Sequence, residues 1–486
     1  MEAKLLKKVT IVGILVYAIL SFSLPLASSH AQGVITETIT RRDLVIDLGD
    51  GLMTDAQLTF PVVGEGPFPG VLLVHGSGAT DMDEYLPPLV TGTGEPSRPF
   101  LQIAEFLSER GLAVLRYNKR GIGLNGTMLD LDVYTNMTVH DLIRDAEKAL
   151  EVLMQQSEVD ASDITIIGHS EGTAIAPRIA VEDPRVKNIV LLGAYAQNLS
   201  DVIYFQLVDR LISYAEEVDS NHDGSLSIQE VYTTLEVELV ELSPLPPNAM
   251  IENSTGEWLW YPGLDLDEDG YFSIHEELKP RRIQFFEWFT TAEFPGSKWL
   301  QSHSALDTNL AMIGNVSGSI LILQGEGETQ APVEQAFLLE QRLTEINHQD
   351  HTLITYPGLG HSFYPVDGWI QPLGPIQDYV LSDLADWLKD PARKVRYLTA
   401  QIDDLNTELN LKTSELESAK TKISNLEGQV TALQSESSTL QNAVTGLERR
   451  NSELQSAVDL STNIAYIAIG IAIIAVAVAV MTLRKR

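Results

Sequence analysis

Short, fully apolar runs alternate with segments of helical spacing through the middle of the chain. Gly70-Val71-Leu72-Leu73-Val74 runs straight into His75-Gly76-Ser77-Gly78, and Leu112 to Tyr117 runs into Asn118-Lys119-Arg120-Gly121. Apolar residues with helical spacing follow from about Val139 to Met154. Next, Ile164-Thr165-Ile166-Ile167 leads into Gly168-His169-Ser170-Glu171-Gly172 and a helix-compatible run to Ala180. Asn188 to Leu192, Ile320 to Leu323 and Thr352 to Tyr356 are further strand candidates. Strands buried on both faces read as unbroken apolar runs, and strands alternating with helices make a mostly parallel sheet covered on both sides. The predicted fold class is therefore α/β, doubly wound.

The pattern changes at both ends. From Leu398 to Val458 apolar residues recur at alternating steps of three and four, including Ile402, Leu405, Leu409, Leu416, Ile423, Leu426, Val430, Leu433, Leu440, Val444, Leu447 and Leu454. Such a repeat predicts a left-handed coiled coil. One seam position carries Ile402, Leu409, Ile423, Val430, Val444 and Asn451, and the other mostly Leu, a mixture that favours a parallel homodimer. Ile464 to Leu483 is unbroken and apolar, long enough for about 30 Å of hydrocarbon, and Arg484-Lys485-Arg486 follows it. At the other end Lys4, Lys7 and Lys8 precede an apolar run from Val9 to Leu20 and then Ser29-His30-Ala31, the pattern of an export signal cut after Ala31. Together these predict a single-pass cell-membrane protein with its body outside the cell.

Composition removes several alternatives. With 67 Asp and Glu against 33 Lys and Arg, the chain would repel a phosphate backbone, so nucleic acid is not an expected partner. The chain has no cysteine, which excludes disulfides, thiolate metal sites and a Cys nucleophile.

The chemistry is concentrated at strand ends. Gly168 and Gly172 flank Ser170 at a predicted strand-to-helix turn, where a serine hydroxyl stands in the open and the helix N-terminus faces developing negative charge. Ser170 is the candidate nucleophile, and the N–H groups of Ser77 and Glu171 are the candidate oxyanion hole. His361, in Pro357-Gly358-Leu359-Gly360-His361 after a strand, is the candidate general base. These pieces, with Arg116 to Gly123, Leu323-Gln324-Gly325 and Gly360-His361-Ser362, resemble the α/β-hydrolase superfamily, near the dienelactone-hydrolase and serine-aminopeptidase-like carboxylesterases. The resemblance covers about 34 to 195 and 311 to 390. It implies a triad acid three residues after Gly325, where relatives usually carry Asp and this chain has Glu328, with Glu326 as the rival.

Between 196 and 310 lies a predicted helical lid. Two twelve-residue loops in it fit the EF-hand pattern, with Asp219, Asn221, Asp223, Ser225 and Glu230 in one and Asp265, Asp267, Asp269, Tyr271 and Glu276 in the other. Calcium takes six to eight oxygens, which positions 1, 3, 5, 7 and 12 supply around a glycine bend. Two calcium sites and no organic cofactor are expected. The aromatic residues Trp258, Trp260, Phe285, Phe286, Trp288, Phe289 and Trp299 form either the core of this lid or the wall of an acyl cleft.

The expected order is a signal peptide (1–31), a hydrolase core (32–195 and 311–390) around the lid (196–310), a coiled-coil stalk (396–460), a transmembrane helix (464–483) and a cytoplasmic tail (484–486). The expected activity is hydrolysis of small carboxylic esters through an acyl-enzyme. A serine aminopeptidase or acyl-peptide hydrolase, and a noncatalytic calcium-binding adhesion or receptor module, are the alternatives.

Overall fold

The computed structural model describes residues 38–253, 256–348, 350–389 and 393–483, and the side chains of 393–408 and 481–483 are not among those described. The predicted signal segment and cytoplasmic tail lie outside these residues. Two compact units are separated at Arg393.

The first unit is built on eight strands: β1 (Ile39–Gly49), β2 (Leu52–Pro61), β3 (Phe68–Val74), β4 (Ala113–Tyr117), β5 (Val159–His169), β6 (Val186–Leu192), β7 (Ser319–Gly325) and β8 (His351–Tyr356). Their order across the sheet is β1-β2-β4-β3-β5-β6-β7-β8. From β4 to β8 every neighbouring pair is parallel, while β1 and β2 form an antiparallel hairpin that joins the sheet against β4. The parallel strands are apolar and buried on both faces, as in Val71 to Val74 and Ile320 to Leu323.

Helices α1 (Pro99–Ser108), α2 (Val139–Met154) and α3 (Gly172–Glu182) connect the strands. Helix α2 starts where the spacing predicts, because Thr138 and Asp141 satisfy each other's backbone N–H groups in a capping box. Its stripe of Leu142, Ala146, Ala149, Leu150 and Leu153 is buried in the main core with Leu72, Ile166 and Ile189.

The chain leaves the sheet after β6 and returns at β7. This insertion is helical from Leu199 to Val218 across a π turn at Phe205–Asp209, carries the short strands Ser225–Ser227 and Tyr271–Ser273, and ends in helices α4 (Lys279–Thr290) and α5 (Ser297–Ser304). Helices α6 (Val333–Glu345) and α7 (Asp378–Lys389) complete the unit.

The described residues of the second unit lie within one continuous helix, α8 (Arg393–Leu483). Its heptad residues are exposed, with Leu409 at 63%, Ile423 at 55% and Leu447 at 64%. It also holds a window of mean hydropathy 2.5, long and apolar enough to cross a membrane by length and composition.

Candidate active site

The β5–α3 turn is built from close backbone approaches. A Cβ on Gly168 would lie 2.2 Å from the Gly172 carbonyl oxygen, and one on Gly172 would lie 2.2 Å from that of Val74, so neither position admits a side chain. Between them Ser170 takes a left-handed φ of 51°. A positive φ on a serine costs about 1 to 3 kcal/mol and persists only where the surrounding structure imposes it. Here the Ser170 N–H donates to the Leu192 carbonyl at 2.8 Å, and Thr173 N–H and hydroxyl both donate to the Ser170 carbonyl.

The loop after β3 lies against this turn, since a Cβ on Gly76 would sit 3.1 Å from the Ser170 Cβ. The Gly76 N–H donates to Glu84 Oε1 at 2.7 Å and is therefore engaged. Among the described residues the N–H groups of Ser77 and Glu171 donate to no protein group. The two predicted oxyanion donors are thus on adjacent loops beside the serine, with the following helix α3 behind one of them.

His361 stands on the loop after β8 and is 8% exposed. Its ring lies against the tip of β6, with Cε1 and Nδ1 3.1 Å from where a Cβ on Gly193 would be, next to the Leu192 carbonyl that holds Ser170. Its Nδ1 meets Glu328 Oε2 at 2.5 Å. The other oxygen of Glu328 accepts from the N–H groups of Gln330 and Ala331 at 2.6 and 3.0 Å. Burial pushes the Glu328 carboxyl up, but the His361 imidazole and these N–H donors outweigh it and hold the group below the ordinary glutamate range. Glu326, by contrast, is exposed and accepts from the Thr355 hydroxyl at 2.7 Å. Of the two candidate acids, only Glu328 is brought to the histidine.

A second buried ionic group, which sequence reasoning passed over, surrounds the turn. The Glu171 carboxylate lies 3.1 Å from Lys119 Nζ and 2.7 Å from His303 Nε2, and the Trp299 indole donates to it. Burial opposes its ionisation, yet Lys119 and His303 hold its carboxyl far below the ordinary range. Glu84, with its carboxylate 2.8 Å from His169 Nδ1, is likewise held low by that imidazole despite burial. Lys119 and Glu171 both lay inside motifs recognised for other reasons, so their side chains carried no separate signal.

The two acidic loops of the insertion share one geometry. Asp219 and Asp265 each accept from the N–H of the glycine five residues on, at 2.8 Å, and the preceding His222 and Glu268 take φ near 60°. Leu226 and Phe272 face each other across the paired short strands and share a core with Trp258 and Trp260 packed against it. In the first loop Glu230 accepts from the N–H groups of Ser220 and Ser227. The corresponding N–H groups of the second loop, on Leu266 and Ser273, donate to Glu277 at 2.6 and 2.9 Å. Glu276, the predicted twelfth-position ligand, is exposed, and Glu277 stands where Glu230 stands in the first loop. The cause is a π turn at Ile274–Leu278, whose wider winding brings the thirteenth residue to the place of the twelfth. The carboxylates of Asp265, Asp267 and Asp269 offer oxygens within 4.8 Å of one another.

The aromatic residues divide between roles. Phe289 and Trp299 pack on the core formed by Tyr195, Leu199, Val202, Leu300 and Ala331, while Phe285, Trp288 and Phe294 stack with one another.

The chain is similar to several known proteins. The profile of a family described as "Serine aminopeptidase, S33" matches residues 88–216. The chain is 29% identical over 303 residues to Esterase EstD of Thermotoga maritima, covering 61% of this chain and 63% of that protein's length. Among solved structures, a hypothetical protein from Pseudomonas aeruginosa is 14% identical at a TM-score of 0.40, over 76% of this chain and 99% of the other. The acylaminoacyl peptidase of Pyrococcus horikoshii is 13% identical at 0.40, over 73% and 42%. The mostly parallel sheet and the strand–turn–helix that presents Ser170 are similar to those of the α/β-hydrolase superfamily, and the profile match over 88–216 is to a family described as a serine aminopeptidase.

Proposed function

We propose that the chain is a membrane-anchored extracellular esterase in which Ser170 attacks the acyl carbon and His361 takes the hydroxyl proton and returns it to the leaving alcohol. Glu328 orients the imidazole, and the N–H groups of Ser77 and Glu171 hold the oxyanion. Water, activated by the same histidine, then releases the acid. The observation that carries this reading is the 2.5 Å contact between His361 and the buried Glu328, at the rim where Ser170 is held in its left-handed turn. A panel of p-nitrophenyl acyl esters set against aminoacyl and acyl-peptide amides tests it. Ester turnover well above amide turnover is expected. The match to a family described as serine aminopeptidase favours the second reading, a peptidase, which the reverse ranking would establish.

Two calcium ions fit the insertion. Asp219, Asn221, Asp223, the Ser225 carbonyl and Glu230 would hold one, and Asp265, Asp267, Asp269, the Tyr271 carbonyl and Glu277 the other. Asp265 Oδ1 is buried without a hydrogen-bond partner, as suits an oxygen meant for a cation. Bound calcium would cross-link the loops of a cysteine-free insertion. Glu277→Gln is expected to weaken one of two sites at least about 10-fold in calorimetric calcium titration, with Glu276→Gln unchanged. Weakening by Glu276→Gln with Glu277→Gln unchanged would return the ligand to Glu276.

The helix α8 pairs with a second copy in parallel and in register. Its exposed seam needs a cover, and in that register Glu415 meets Lys420 of the partner subunit while Lys422 meets Glu427 of the partner subunit. Lys420→Glu with Lys422→Glu is expected to weaken dimerisation of the detergent-solubilised chain about 10-fold by sedimentation, and Glu415→Lys with Glu427→Lys to restore it. No change in either variant would rule out this register. The apolar window near the end of α8, followed by Arg484-Lys485-Arg486, anchors the chain with its catalytic unit outside.

A further inference from the structure

The Lys119 ammonium has more contacts than a counter-ion for Glu171 requires. Its Nζ donates to the Gly76 carbonyl at 2.6 Å and lies 3.1 Å from the Glu171 carboxylate, and neither the Lys119 nor the Glu171 side chain has any exposed surface. The carbonyl of Gly76 and the N–H of Ser77 belong to one peptide unit. A trans peptide is planar, with its C=O and N–H pointing in opposite directions, so fixing the oxygen fixes the direction of the N–H. A cation on the oxygen also draws electron density along the amide and makes its N–H a stronger donor. The other donor, the N–H of Glu171, belongs to the residue whose carboxylate the same ammonium holds.

We infer that Lys119 is a positioning residue of the oxyanion hole: one buried ammonium orients the Gly76–Ser77 peptide and ties it to Glu171, so that both donors converge on the same point. Through His303 and the Trp299 indole, helix α5 of the insertion closes the far side of the same strut. The inference rests on the esterase reading above.

Removing Lys119 alone would leave the buried Glu171 carboxylate with His303 and the Trp299 indole but without its ammonium partner, which is destabilising, whereas neutralising both members removes that imbalance. The test therefore compares two double variants of the full chain, Lys119→Met with Glu171→Gln and Lys119→Gln with Glu171→Gln. They differ in whether position 119 can still donate to the Gly76 carbonyl. Three readouts are taken: kcat and KM on a p-nitrophenyl ester, the inhibition constant of an alkyl boronic acid that mimics the oxyanion, and thermal midpoint. The Met variant is expected to lose about 100-fold in kcat with KM nearly unchanged, and to lose boronate affinity in parallel. The Gln variant should recover about 10-fold of both. Equal kcat and equal boronate affinity in the two variants, or losses that follow the thermal midpoint in both, would overturn the inference. A wild-type chain that fluorophosphonate does not label at Ser170 would instead overturn the esterase reading beneath it.

Discussion

Ser170→Ala is expected to reduce kcat on a p-nitrophenyl ester by about 10⁵- to 10⁶-fold while leaving KM within a few-fold. In the proposed mechanism the hydroxyl is the part of the turn that forms a bond to the acyl carbon. Without it, His361 can activate only water, and what remains is the rate that binding and the oxyanion donors alone supply. In the proposed mechanism the hydroxyl reacts with the substrate and does not anchor it, so binding is expected to be retained. The fold is retained too, because alanine keeps a Cβ at the same left-handed φ of 51° and the backbone bonds of the turn do not use the hydroxyl. Ser170→Gly relieves the strain at that position and is expected to be at least as stable as the parent in thermal unfolding. A Ser170→Ala chain with unchanged kcat would remove the nucleophile from the mechanism.

Glu328→Gln carries the second large effect, about 10⁴-fold in kcat. An amide cannot stabilise the imidazolium that forms as His361 takes the serine proton, and its NH₂ can present a donor where the Nδ1–H needs an acceptor, which favours the wrong tautomer. Glu326→Gln is the control and is expected to stay within about 2-fold, since that carboxylate is exposed and bonded to Thr355. The pH dependence has a definite sign. Because His361 and two backbone N–H groups depress the Glu328 carboxyl, its contribution to stability is complete above the unfolded glutamate value of about 4.3. That contribution is lost as pH falls through the lowered folded value. Glu328→Gln should therefore flatten the acid limb of the stability profile, read by denaturant unfolding at a series of pH values. A large kcat loss in Glu326→Gln, with Glu328→Gln unaffected, would reverse the assignment.

The parallel part of the sheet was legible because strands buried on both faces, such as Leu72 to Val74 and Ile320 to Leu323, are continuous apolar runs ending in glycine-rich turns. The β1–β2 hairpin was not picked out. Its strands are half exposed, so Leu44, Ile46 and Leu48 alternate with Asp43, Val45 and Asp47, and only the Gly49-Asp50-Gly51 turn marks the reversal.

At the candidate site, the placing of Ser170 and His361 on strand-end turns was readable from their glycine-rich surroundings, Glu328 was named from the family resemblance, and which of Glu328 and Glu326 faces His361 depends on the loop's path. One residue points inward and the other outward, and sequence does not record that. That Glu277 and not Glu276 takes the place of Glu230 was hidden for a similar reason, because a π turn inserts a residue without altering composition, and two adjacent glutamates leave the pattern satisfied either way. The Lys119 and Glu171 pair was invisible because a lysine in a loop is ordinarily solvated, and only the fold shows it to be buried.

Whether these three side chains act as one catalytic unit is tested most directly by stoichiometric labelling. One equivalent of a fluorophosphonate is added to the purified chain and to its His361→Ala variant, and adducts are located by peptide mass mapping while ester hydrolysis is followed in parallel. One adduct per chain on Ser170, stoichiometric with the loss of activity and at least about 10³-fold slower to form in the variant, is the expected result. Hydrolysis that persists with Ser170 fully labelled, or labelling of Ser170 at the same rate without His361, would contradict the assignment.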